Sequence, residues 1–372
     1  MERFRIGHSG GASAGQLVAR CLDGIGEIPS DANFGFLYAT DPLVSELPGI
    51  LAECKRRTGI AHWTGTVGVG ISATGQEYYD EPALALMVAA FPVDAFKPVP
   101  TLAASVEQFV QGTRAWLNRD EFHFGLLHAD PTNAQSPRLI ADLAMGVPGA
   151  FFVGGLTSSK GPHVQLVDTV ATGGVSGVLF SSGVPVVTSH TQGCTPIGAS
   201  HRITRCERNI LIELDGRPAL EVFKEEVGQV IANDLRRASG YIFAGFPVAG
   251  SDTGDYLVRN LMGVDPERKL VAVAERLTMG SEILFCRRDG NSAREDLLRM
   301  LEDLKRRMGA QPKGAVYYSC LGRGRHQFGE DSAELKLIAE TLGDLPLVGF
   351  FANGEIFHNR LYAYTGVLTI FC

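Results

Sequence analysis

Cys320-Leu321-Gly322-Arg323-Gly324-Arg325-His326 closes an apolar run with a thiol beside two guanidiniums and an imidazole. Cations near a thiol favour the thiolate, so Cys320 is a candidate nucleophile, with His326 or His358 as the base that such chemistry requires. The plain alternative is a small residue ending a buried strand. Arg323, set between glycines, offers a different chemistry, since a guanidinium there can hold a carboxylate through paired hydrogen bonds. Gly154-Gly155-Leu156-Thr157-Ser158-Ser159 and Gly349-Phe350-Phe351-Ala352-Asn353-Gly354-Glu355 each follow a run that reads as a buried strand. Loops at strand ends are where α/β proteins bind ligands, and Gly154, Gly155, Thr157, Ser158, Asn353, Gly354 and Glu355 are the candidate contacts. A tight turn that needs glycine is the competing reading. His190 to Gly198 forms a further polar cluster, in which Cys194 and Thr195 could line a pocket or simply turn the chain into the next strand. His123 and His128, five apart on one expected strand, point to opposite faces and need no metal.

The elements that would carry these residues occur in an internal echo. Ser105-x-x-Gln108 and Ser292-x-x-Glu295 read as capping boxes that open amphipathic helices. Strands follow at 124–129 and 315–320, then helices containing Leu139-Ile140-Ala141-Asp142 and Leu337-Ile338-Ala339-Glu340, then Pro148 and Pro346, then strands ending in Val-Gly. The order predicts two similar α/β halves from a duplication, with mixed sheets covered by helices. Ile210 to Arg217, with Asp215-Gly216 at its turn, predicts a β-hairpin joining the halves. Val67 to Ile71 and Leu84 to Phe91 read as strands, as do Leu270 to Glu275 and Glu282 to Cys286.

Composition removes several classes of function. The 372 residues are 45% hydrophobic and 20% charged, the balance of folded domains. Glycine is enriched, with 44 residues in short clusters beside apolar runs, and predicts many tight turns. A net charge of −7 without a large basic cluster argues against nucleic acid as a partner. The chain lacks a phosphate-loop or dinucleotide fingerprint, a long apolar span and a secretion signal, so no cofactor is expected and the location is read as cytoplasmic. Seven scattered cysteines without C-x-x-C spacing fit reduced thiols and no structural metal.

Taken together the motifs resemble the FIST family, a two-part sensory module. WTGTVGVGISATGQEYYDEPALALM from Trp63 and GGLTSS from Gly154 are similar to the FIST N part. GCTPIG from Gly193, LDGRPAL from Leu214, SCLGRG from Ser319, GFFANGEI from Gly349 and YTGVLTIF from Tyr364 resemble FIST C. After Ile356, Phe357-His358-Asn359 replaces the Gly-Pro of the usual pattern. The resemblance implies an N-terminal part over 1–205, a C-terminal part over 206–372, and a small-ligand-binding role in signal transduction, with amino acids or their derivatives as the ligand class. Carried onto this chain, its motif positions are Cys194, Pro196, Gly198, Cys320, Gly322, Arg323, Gly354 and Glu355. A ligand held between the halves by Arg323 and Glu355, with a signalling partner or self-association downstream, is the expected reading. A Cys320-dependent enzyme acting on an electrophilic metabolite is the alternative.

Overall fold

The computed structural model describes residues 4–238, 240–248, 256–309 and 311–372. The chain forms two compact units, one from the residues up to Thr191 and from Arg294 onward, the other from Gln192–Ala293. The linear division at 205/206 therefore falls inside the second unit.

The larger unit repeats one plan three times. The first pass is β1 (Arg5–Gly10), α1 (Ala14–Ile25), β2 (Phe34–Thr40), α2 (Leu47–Thr58), β3 (His62–Gly68), the hairpin β4 (Gly70–Ala73) and β5 (Gln76–Tyr79), and β6 (Ala83–Ala89). The second is β7 (Phe96–Leu102), α3 (Glu107–Leu117), β8 (His123–Ala129), α4 (Ser136–Gly146), β9 (Ala150–Leu156), the hairpin β10 (Val164–Val167) and β11 (Thr169–Thr172), and β12 (Val175–Ser181). The third opens with β13 (Val186–Gln192) and then leaves for the second unit. That unit holds β14 (Cys194–Pro196), β15 (His201–Glu207), β16 (Ile210–Leu214), β17 (Arg217–Pro218), α5 (Ala219–Val227), α6 (Gln229–Asn233), β18 (Ile242–Pro247), β19 (Tyr256–Asp265), β20 (Leu270–Val273) and β21 (Glu282–Arg288). The third pass resumes with α7 (Gly290–Arg307), β22 (Gly314–Cys320), the single turn α8 (Arg325–Phe328), α9 (Ala333–Leu342), β23 (Leu347–Ala352), the hairpin β24 (Glu355–His358) and β25 (Arg360–Tyr362), and β26 (Thr365–Phe371).

Each pass builds one six-stranded sheet, and the strand orders are β1-β6-β2-β3-β10-β11, β7-β12-β8-β9-β24-β25 and β13-β26-β22-β23-β4-β5. In each sheet the two central strands are parallel, joined by a helical crossover, and the returning strand is antiparallel. The hairpins are exchanged: that of the first pass completes the third sheet, that of the second the first sheet, and that of the third the second sheet. No pass can therefore bury its core alone.

The register makes the repeat residue-specific. Leu37 pairs with Gly65, Leu127 with Gly154, and Tyr317 with Gly349. A Cβ on any of these three glycines would come within 1.7–1.8 Å of the partner's carbonyl oxygen. Glycine is thus fixed by close approach of the central strands. Val153-Gly154 and Val348-Gly349 are the Val-Gly steps of the sequence echo, and the first pass has Thr64-Gly65 in their place.

Inward side chains of the three sheets share one core containing Phe34, Phe36, Phe124, Leu126, Val316 and Phe371. Outward, Leu37, Ala39 and Trp63 of the first sheet pack on α1 and α2, and Leu127, Ala129 and Phe152 of the second pack on α3 and α4. Each such buried leucine or phenylalanine contributes about 1.5–3 kcal/mol.

Two local expectations change. α3 starts at Glu107 with Val106 as its cap, and α7 starts at Gly290, ahead of Ser292, so neither proposed capping box forms. Asp289 receives the first amides of α7 instead, from Asn291 at 2.9 Å, and the capping box that does form is Ser13 with Gln16. The stretch Val67 to Ile71 is not one strand, because the chain leaves the first sheet at Gly68 and enters the third at Gly70. In the second unit β21, β15, β16, β20, β19 and β18 close antiparallel into a barrel, since β18 pairs back onto β21. The Asp215-Gly216 hairpin turn forms with both residues at positive φ, within this barrel.

Candidate functional site

Strand ends β9, β22 and β23 bring one group of candidates together in the larger unit. Glu355 pairs with Gly155 in the ladder, Leu156 N donates to Gly354 O at 2.8 Å, and Asn353 N donates to Leu156 O at 2.9 Å. The two glycine-rich loops therefore bind each other. Ser158, fully enclosed, donates to Phe351 O at 2.5 Å and receives the amide of Val69 at 3.0 Å. Thr157 meets Thr66 Oγ1 at 2.8 Å and receives Gln165 Nε2 at 2.9 Å. Gly322 N approaches Cys320 Sγ at 3.5 Å. The backbone amides of Leu156, Thr157 and Asn353, candidates for a ligand cradle, are spent on carbonyls of the fold. Cys194 and Thr195 belong to the second unit, on β14.

Arg323 is completely buried. Its Nε donates to Glu334 Oε1 at 2.8 Å, and its Nη2 lies 2.7 Å from the same oxygen, in ion-pair contact without hydrogen-bond alignment. The guanidinium stacks 4.9 Å from the Phe328 ring centroid. Burial works against its charge, and Glu334 beside it more than restores it. Glu334 also receives Tyr317 Oη at 2.6 Å, Ser319 Oγ at 3.1 Å and Gly324 N at 2.8 Å. Two arms of the guanidinium are thus committed inside the protein, and Nη1 is the buried donor left without a partner.

This ionic layer sits where the other two passes are apolar. Tyr317 and Ser319 occupy the register positions of Leu37 and Ala39 and of Leu127 and Ala129. Glu77 joins it from β5, buried, with neither carboxylate oxygen paired, and its acid is pushed up to about 8 by burial and then by Glu334. Sequence reading missed Glu77, Tyr317, Ser319 and Glu334. The available signal was Glu334 opening the apolar run Leu335-Lys336-Leu337-Ile338, an acid on a helix that must face a sheet.

Glu355 is also completely buried. Its Oε2 accepts from Thr365 N at 3.1 Å and Thr365 Oγ1 at 2.7 Å, and its Oε1 has no partner. Burial pushes this acid up to about 8, against the pull of Thr365 and Arg323. The Cys320 thiol is pushed well above its ordinary value, by burial first and by Glu355 second, with Arg323 the weakest opposing influence. The thiolate-favouring environment expected from the neighbouring arginines does not arise, because Glu334 holds one guanidinium and Asp80 binds the other, Arg325, at 2.5 Å. His358 stands three ladder positions from Glu355, about 10 Å along the strand, with its ring stacked on Phe151. His326 sets its ring edge-on to Tyr79, at 6.4 Å.

On the inner side of the site, equivalent residues of the three passes meet. Tyr38, His128 and Tyr318 follow the glycine-paired positions by one residue. Tyr38 Oη lies 3.1 Å from His128 Nε2 and 2.8 Å from Tyr318 Oη, and the Phe350 ring packs on all three. Burial lowers the His128 imidazole to about 3, so it is neutral. His123 is buried as well, bonded through Nδ1 to Pro148 O, on the opposite face of β8. Among the described residues no group of three or more His, Cys, Asp or Glu side chains is arranged to hold a metal ion.

A family model described as the FIST N domain matches residues 33–217, and one described as the FIST C domain matches residues 219–358. "Uncharacterized protein Rv0628c" of Mycobacterium tuberculosis is 31% identical over 334 residues, which cover 87% of this chain and 86% of that protein. "Uncharacterized protein Mb0898c" of Mycobacterium bovis is 31% identical over 321 residues, 82% of each.

Proposed function

The chain belongs to the FIST family, and from that premise we propose a sensory protein whose ligand is an amino acid or a related small carboxylate. FIST domains are associated with sensory signal transduction and small-ligand binding. The observation that carries the ligand class is that Glu355 Oε1 and Arg323 Nη1, a buried acceptor and a buried donor, both lack partners. They are close enough for Arg323 to pull on the Glu355 acid. An ammonium group would donate to Glu355 and favour its ionised form, the proton leaving to solvent, and a carboxylate would take the remaining arm of Arg323. Thr157, Ser158, Cys320, Asn353 and Gly354 would form the surrounding wall, with Gly155 and Gly322 leaving room at its edges.

Both groups are enclosed, so entry requires local opening. The segment between β22 and α9 is the strained part of the enclosure, because Gly324, Gly329, Asp331 and Ser332 all hold positive φ and Asp331 and Ser332 carry side chains there. Among the described residues no helix is long and apolar enough to cross a membrane. The reading of a cytoplasmic protein that signals through a partner or through self-association rests on the sequence.

The test is thermal unfolding of the full chain against amino acids, their amides and their keto acids, repeated with Glu355→Gln. A ligand at a hundredfold over its Kd adds about 2.7 kcal/mol. Zwitterions are expected to stabilise the wild type and the amine-selective part of the shift is expected to vanish in the variant. Equal shifts in both proteins would remove Glu355 from the site.

A further inference from the structure

The single turn α8 follows Arg323 by two residues and folds back against it. Phe328 is the buried side chain of the turn, and its ring stands 4.9 Å from the Arg323 guanidinium and 6.0 Å from that of Arg294. At one end of the turn Gly324 is held, with its amide on Glu334 Oε2 at 2.8 Å and Tyr79 Oη in the space a Cβ would need. At the other end Gly329 is exposed, at φ +97°, and a Cβ there would meet nothing within 4 Å. Arg325 ties down the outside of the turn. Its guanidinium lies 4.4 Å from the Tyr79 ring centroid, and its Nη2 donates to Asp80 at 2.5 Å. Asp80 follows β5 and also meets Lys160 Nζ at 3.4 Å. One carboxylate of the first pass therefore joins a lysine of the second to an arginine of the third. The Asp80 side chain is 55% exposed and that of Arg325 32%, so this pair works in water, where such contacts are weak and screened by salt.

We propose that α8 is a lid over Arg323, with Phe328 as its underside and the Arg325–Asp80 pair as its latch. The proposal rests on the reading of Arg323 as a ligand group, whose enclosure some part of the fold must relieve. The contacts of the turn are the weakest that cover it. Withdrawing Arg323 itself would break a completely buried ion pair with Glu334. Lifting α8 breaks a solvent-exposed pair and a cation–π stack and uncovers one phenylalanine ring, while Gly324 and Glu334 stay bonded. Gly329 supplies the backbone freedom at the unpacked end, with no side chain to repack as the turn moves. A carboxylate entering on that side would reach the guanidinium where Phe328 had covered it, and closure would return the turn over the site and exclude water. Asp80 and Lys160 make the latch a joint device of the three passes, so a site in the third is governed by loops of the other two.

The experiment is hydrogen–deuterium exchange of the full-length protein, read by mass spectrometry on wild type and Asp80→Ala at about 0.05 and about 0.5 M sodium chloride, which span strong and weak screening. Modification of Arg323 by phenylglyoxal is mapped in parallel. The peptide carrying residues 323–329 is expected to exchange about two- to fivefold faster in the variant, the scale of an exposed ion pair, and Arg323 to gain adduct by a similar factor. Salt should accelerate the turn in the wild type and leave it unchanged in the variant. Arg325→Gln should reproduce Asp80→Ala, and peptides from α1 and α2 should not change in any of the proteins. Equal exchange of the turn in wild type and variants would overturn the proposal, as would faster exchange with Arg323 no more reactive. Acceleration shared by α1 and α2 would overturn it too, since the whole unit would then have loosened. No ligand enters the experiment, so its failure leaves the Glu355 and Arg323 site to the thermal test above, and failure of that test leaves the lid standing.

Discussion

Replacing Glu355 by Gln should change how stability depends on pH, and by an amount the burial of this acid sets. The folded protein holds the Glu355 proton to about pH 8, whereas an ordinary glutamate releases it near 4.5. Below pH 4.5 both states are protonated and the acid is neutral to stability. Between 4.5 and 8 the unfolded chain gives up its proton and the folded chain keeps it, so the folded state binds more protons and stability falls as pH rises. Above 8 the loss levels off. One pKa unit is worth about 1.4 kcal/mol, so the full displacement sets a ceiling of roughly 5 kcal/mol, and water entering the site reduces it to several. Glutamine preserves the bonds from Thr365, because its carbonyl oxygen can stand where Oε2 stands. Glu77 titrates in the same window and is common to both proteins, so it cancels from the comparison. Urea unfolding of wild type and variant at pH 4.5, 6.5 and 8.5, followed by near-ultraviolet circular dichroism, should give equal stabilities at the first pH and a variant several kcal/mol more stable at the last. Parallel curves across the range would mean that Glu355 is solvated and ionised, and the recognition scheme built on it would fall with that result.

Arg323→Met and Glu334→Gln should each cost about 3–5 kcal/mol in urea unfolding, because each strands a buried charge or its donors, and the double variant should cost clearly less than their sum; additive losses would refute a coupled pair. Gly349→Ala should lower stability by about 3 kcal/mol, since the new Cβ meets the Tyr317 carbonyl. Gly112→Ala, in α3 with nothing within 4 Å, should instead raise it by about 0.5–1 kcal/mol. Cys320 should react with iodoacetamide at pH 7.5 at least tenfold more slowly than a free thiol, measured by peptide mapping, given its buried and raised thiol; labelling at the free-thiol rate would restore the nucleophile.

What could be read without the structure depended on whether the signal was local. Strand runs such as Phe124 to Ala129 and Ala315 to Cys320 are apolar on both faces and announce themselves as central strands. Their glycine partners announce a close approach. The hairpin exchange could not be read, because Gly70 to Tyr79 carries no mark of the sheet it joins, and the sheet it joins is closed by strands near residue 350. The partner of Arg323 was equally hidden. Flanking glycines and a strand end suit an arginine that grips a ligand and one that anchors a loop alike, and only the approach of Glu334 from α9 decides how many of its arms remain.

The threefold plan explains why the polar residues fall where they do. Three equivalent sheets need only one helix-covered face each, and two of them are filled with hydrocarbon around Leu37 and Leu127. The third carries Tyr317, Ser319, Arg323 and Glu334, a costlier layer to bury than leucine and alanine in the same register positions. Stability alone gives no reason for that difference, since the same backbone is demonstrably served twice by apolar side chains. The ion pair fixes Arg323 and Gly324 at the end of β22, beside Cys320 and within the field that acts on Glu355. Positioning one strand end against the opposing loop is work that the first two passes do not require, and it sets the third pass, where the proposed site lies, apart from the other two.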